Sequence, residues 1–99
     1  MKILVFAKRR DGVQLEEMKP YFTAEVQAVW DLYTKGICRG FYSRADQGGP
    51  AVLEVEAENV ETARQALASL PLVERKLLDL EYIPLAPFAT LSTLFQAAN

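Results

Sequence analysis

The sequence predicts an α+β domain of order βαββαβ, with one four-stranded antiparallel sheet and two helices on one face. Three observations predict it. Four short stretches are rich in branched and aromatic residues, the signature of strands. Before the second and before the fourth, apolar residues fall into the three-and-four rhythm of a helix. Between the second and third lies only a short Gly-rich loop, which makes an antiparallel hairpin. Ninety-nine residues leave room for one core, so residues 1–99 are expected to be a single domain.

The first strand is Lys2 to Lys8, a nearly continuous apolar run that ends at the turn signal Asp11-Gly12. From Gln14 to Lys35 the period is helical. Leu15, Met18, Phe22, Val26, Val29 and Tyr33 share one face, with Trp30 on its flank. Pro20 splits this segment into a short turn over Leu15–Met18 and a main helix from Pro20 to Lys35. Gly36 stops it.

Ile37 to Arg44 is the second strand, Ala45 to Pro50 the loop, and Ala51 to Ala57 the third strand. Asn59 caps a second helix with the apolar stripe Ala63, Ala66, Leu67 and Leu70, which Pro71 ends. Lys76 to Leu85 is the fourth strand. The segment 86–99 carries Phe88, Leu91, Leu94 and Phe95, too apolar for a free tail, and is expected to pack on a partner subunit. This order is the ferredoxin-like, split-βαβ plan. It leaves one sheet face open. A second copy packed sheet to sheet would cover it and make a dimeric α+β barrel, so a homodimer or higher homo-oligomer is expected.

Composition narrows the function. Eleven basic against thirteen acidic residues give a net charge of −2, and no basic run exceeds Lys8-Arg9-Arg10. No nucleic-acid partner is expected. No segment nears the roughly 18–20 apolar residues of a membrane span, and Ile3 to Ala7 is too short for a secretory signal. No membrane partner is expected, and the expected location is cytoplasmic. Cys38 is the lone cysteine and there is no histidine. That excludes an intrachain disulfide, His–Cys zinc sites and histidine general bases within this chain. With no Gly-x-Gly-x-x-Gly either, no metal, redox group or other cofactor is expected.

Several motifs resemble the muconolactone isomerases. Leu70-Pro71-Leu72, Asp79-Leu80-Glu81 and Pro84-Leu85-Ala86 are similar to that family's C-terminal Leu-Pro-Leu turn, Asp-Ile-Glu strand and Pro-Leu-Ala closure. Leu53-Glu54-Val55-Glu56 resembles its third strand, and Gly36 followed by Arg39 its approach to strand two. The resemblance implies a ferredoxin-like subunit in barrel-type dimers and a cofactor-free proton shift on a small unsaturated lactone. The isomerases carry a histidine after the strand-two arginine, where this chain has Gly40.

A proton shift beside a carbonyl needs a base and a group to hold the enolate oxygen. Without histidine, the base is a carboxylate, tyrosine or lysine. Glu54 is the candidate base and Tyr42 the candidate donor. Arg39, Arg44, Glu56 and Trp30 are candidates for holding a small-molecule ligand. Each has a plainer reading. Glu54 and Glu56 could be solvated or paired with Arg39 or Arg44 across the hairpin, and Tyr42 and Trp30 could serve packing. Two functions therefore stand open: a cofactor-free isomerase-like enzyme, and a non-catalytic small-molecule-binding barrel.

Overall fold

A computed structural model describes residues 1–48 and 51–96. The order is β1 (Lys2–Arg9), α1 (Leu15–Met18), α2 (Phe22–Thr34), β2 (Cys38–Ser43), β3 (Ala51–Glu56), α3 (Val60–Leu67), α4 (Pro71–Glu74) and β4 (Leu78–Pro84). Short 3-10 helices over Lys19–Tyr21 and Ala89–Phe95 complete it. The four strands form one antiparallel sheet in the order β2-β3-β1-β4. That is the expected ferredoxin-like arrangement. No helix among the described residues is long and apolar enough to cross a membrane.

Register sorts the strand residues onto two faces. Ile3, Val5 and Ala7 of β1, Leu53 and Val55 of β3 and Cys38 of β2 are buried beneath the helices. With Leu32 of α2, Ala63 and Leu67 of α3 and Leu70 they make the core. Alternation sends Leu4 and Phe6, Val52 and Glu54, and Glu81 and Ile83 to the open face. A bulge in β2 falls between Cys38 and Gly40, so Arg39 is the extra residue there.

Several element ends differ from expectation by one residue, and three boundaries differ for a physical reason. The main helix is preceded by a 3-10 turn over Lys19–Tyr21, because Pro20 has no N–H to donate to the carbonyl four residues back and so interrupts the ladder that α1 begins. Pro71 does not end a helix; α3 has stopped at Leu67, and Pro71 opens α4 at the position where proline is tolerated best. β4 starts at Leu78, because Lys76 sits in the left-handed region at φ 61° and closes α4. The loop expected over Ala45–Pro50 includes Gly49 and Pro50, which lie outside the described residues.

The largest departure concerns α2. Phe22, Val26, Val29 and Tyr33 share one face of it, yet Leu32 is its one buried residue, Val29 is half-buried, and Val26 is 68% exposed. The helix meets the core at its C-terminal half and stands off from the sheet at its N-terminal half.

α2 and α4 end in the same way. Ile37 N–H donates to Leu32 O and Gly36 N–H to Tyr33 O; Leu77 N–H donates to Leu72 O and Lys76 N–H to Val73 O. Each pair of bonds is a Schellman motif with a left-handed residue at its turn. Gly36 (φ 76°) takes that conformation without strain, and Lys76 takes it against its Cβ. A Cβ at Gly36 would meet nothing closer than Arg39 Nε at 4.0 Å, so only the backbone angle opposes substitution. Gly36→Ala is therefore expected to cost about 1 kcal/mol, and Lys76→Gly to gain up to about 1 kcal/mol. Denaturant midpoints of the two variants check this, and a Lys76→Gly protein less stable than the parent would contradict it.

Candidate functional site

The space under the N-terminal half of α2 is a cavity of about 780 Å³. That lies in the range of small-molecule sites, about 300–1,000 Å³. Leu15, Met18, Phe22, Val26 and Val29 roof it; Ala7, Leu53, Leu78 and Leu80 floor it; Leu70, Leu72 and Val73 close the side toward α4. The lining is mostly apolar. Trp30 and Phe41 stand at the edge next to β2. Trp30 stacks on Tyr33 at 5.0 Å between ring centroids, and Tyr33 meets Phe41 edge-on at 5.7 Å. These contacts hold the rings in place.

One carboxylate appears among the described lining residues, Glu25. It comes from the first turn of α2 and is half-buried. Its Oε1 accepts a hydrogen bond of 2.8 Å from the backbone N–H of Leu72 in α4. Burial raises the Glu25 carboxyl above its ordinary value of 4.5, and the Leu72 hydrogen bond offsets part of that rise. At the mouth, Arg9 ends β1 on the helix-facing side and makes no ion pair among the described residues. The cavity thus offers an apolar slot, one acid and two cations, Lys8 and Arg9, among its described lining residues.

The residues singled out from sequence are placed as follows. Tyr42 and Glu54 come together on the open face: Tyr42 Oη donates to Glu54 Oε1 at 3.1 Å. That bond raises the Tyr42 hydroxyl above its usual value, because the phenol now donates to a carboxylate. Lys2 Nζ lies 3.7 Å from Glu54 Oε2. Gly40 makes room for this cluster, since a Cβ there would meet Tyr42 Oη at 3.0 Å and Glu54 Cδ at 3.3 Å. Tyr42 and Trp30 also border the cavity, whereas Glu54, Glu56, Arg39 and Arg44 do not. Arg39 Nε donates to Gly36 O at 2.9 Å, Arg44 grips Asp46 through two hydrogen bonds, and Glu56 faces the Met1 ammonium at 3.8 Å. Cys38 is buried, and burial pushes its thiol up, away from the reactive thiolate. No cluster of three or more metal-ligating side chains occurs among the described residues.

Glu25 and Arg9 were not singled out from sequence. The available signal was an apolar face on α2 that is too wide for one core, with a glutamate set into it.

No family model matches the chain, and no curated protein matches it. Among solved structures it is similar to 5-chloro-2-hydroxyhydroquinone dehydrochlorinase (TftG) from Burkholderia phenoliruptrix AC1100, in complex with 2,5-dihydroxybenzoquinone. The TM-score is 0.69 at 17% identity, over 87% of this chain and 94% of that one. At this identity the likeness is one of fold.

The raised Glu25 carboxyl has a stability consequence. A group that holds its proton more tightly when folded stabilises fully below its unfolded value of 4.5. That contribution is lost as pH rises through the folded value. Glu25→Gln keeps an acceptor for Leu72 N–H and removes the titration. As pH rises from about 4, melting temperatures should therefore shift in favour of the Gln variant until the folded carboxyl has ionised, and then hold a level difference. A difference constant throughout would show that the carboxyl is not desolvated.

Proposed function

We propose that this chain is a small-molecule enzyme that moves a proton within the cavity beneath α2. The observation that carries the reading is Glu25, a half-buried carboxylate that lines an otherwise apolar slot and whose proton affinity burial has raised. A raised value brings the acid toward the operating pH, where it can both take and return a proton. The substrate class that fits is a small unsaturated lactone or carboxylate, in keeping with the resemblance to the muconolactone isomerases. Its flat body would sit among Leu53, Val29 and Leu80, and its anionic group would meet Arg9 at the mouth.

The step is an internal proton shift. Glu25 as carboxylate takes a proton from the carbon beside the carbonyl. The C–H electrons pass into the ring as an enolate. Glu25 then returns the same proton to the far end of the conjugated system. No oxidant, reductant or metal enters the balance.

A second reading keeps Glu54 as the base with Tyr42 as donor on the open face. The 3.1 Å hydrogen bond between them supports it. A third, a non-catalytic binding barrel, uses the same cavity without turnover.

Turnover on a panel of unsaturated lactones, unsaturated carboxylates and hydroxyquinones separates them. Glu25→Gln should lower kcat by about 10²–10⁴-fold, the usual cost of losing a general base. Arg9→Ala should chiefly raise KM. Glu54→Gln should leave turnover nearly unchanged. Loss of turnover in Glu54→Gln with retention in Glu25→Gln would favour the second reading. Binding without turnover across the panel would favour the third.

A further inference from the structure

The segment after β4 is the part of the molecule least explained by the fold. Leu85 still bonds to Lys2 O, but no hydrogen bond ties described residues 86–96 to the sheet or the helices. The radius of gyration is 16.5 Å, against about 13 Å for a compact domain of this length, and the longest dimension is 63 Å. The segment reaches outward. It carries Phe88, Leu91, Leu94 and Phe95, and Phe95 is 80% exposed. From Leu85 to Asn99 there is no charged residue. Four large apolar side chains on an uncharged arm mark a contact surface.

The molecule has a second uncovered apolar strip. Phe22, Val26 and Trp30 lie at successive fourth positions of α2 and, with Thr23 and Gln27, line a shallow groove on its outer side. No charged residue lines it. Phe22, Val26 and Trp30 also border the cavity, so whatever fills the groove shuts that side of the site.

The two strips match in pitch. In a 3-10 helix, side chains three apart eclipse one another, and a rise of about 2.0 Å per residue spaces them about 6 Å apart. Phe88, Leu91 and Leu94 have that spacing, as the N-cap and two positions of the Ala89–Phe95 helix. Fourth neighbours on an α-helix rise about 6 Å as well. The arm therefore presents three apolar knobs at the repeat of the three on α2, and neither surface carries a charge.

We propose that the 88–95 arm of one copy seats in the α2 groove of a second copy and forms the outer wall of its ligand cavity. Each copy holds both halves, so the exchange is reciprocal and closes as a dimer. The cavity is incomplete in a single chain. This stands on the surfaces alone and does not depend on the chemistry assigned to Glu25.

Cysteine cross-linking tests it on the full chain. Cys38 is buried and does not compete. A Leu94→Cys copy is mixed with a tagged Val26→Cys copy under mild oxidation. The expected result is a disulfide-linked heterodimer that forms well above the level seen when Leu94→Cys is mixed with Val52→Cys, a site on the open sheet face. Val26 is exposed, so its substitution leaves the core alone. Separately, Leu94→Asp should weaken self-association in sedimentation velocity by about tenfold or more, the cost of exposing or charging one buried leucine. Equal cross-linking to Val52→Cys would place the arm on the sheet and overturn the proposal. A Val26→Cys/Leu94→Cys double variant that bridges within one chain at high dilution would also overturn it. So would a Leu94→Asp protein that associates as the parent does.

Discussion

The hydrogen bond from Leu72 N–H to Glu25 is the contact on which the candidate site depends. It joins the N-terminal half of α2 to α4 across 47 residues of sequence. Leu32 anchors the back of the same helix in the core. Between these two points the helix bridges an apolar gap that no side chain fills. A carboxylate there would be costly without a partner. The Leu72 amide, which has no intrahelical acceptor because it lies in the first turn of α4, supplies one. Packing, charge and cavity at this end of the molecule thus share one contact.

Most of the fold was legible because each signal was local. Gly36 at the end of α2, Asn59 accepting from Thr62 N–H at the start of α3, and the alternation of Leu78, Leu80 and Tyr82 in β4 are each decided within a few residues. Pro71 misled because its preference covers both the end of one helix and the start of the next. The exposure of Val26 was invisible for another reason. Periodicity says which residues share a face, not whether a neighbour is near enough to bury it.

The site was less legible than the fold. Sequence drew attention to Glu54 and Tyr42, and the two do meet, on the open face of the sheet. Their meeting depends on Gly40, which leaves space for the phenol. Glu25 looked like an ordinary helix glutamate. Its environment is made by Leu72, 47 positions away, and no spacing rule links the two. Long-range burial, not residue type, makes it a candidate.

The bulge at Arg39 has a consequence for solubility. In the order β2-β3-β1-β4, both β2 and β4 present a free line of backbone donors and acceptors. Such edges recruit other strands and seed aggregation. On β2, the extra residue Arg39 breaks the regular ladder. On β4, Asp79 and Glu81 are exposed and Pro84 ends the strand with no donor to offer. Edge-to-edge growth of the sheet is thereby discouraged on both sides.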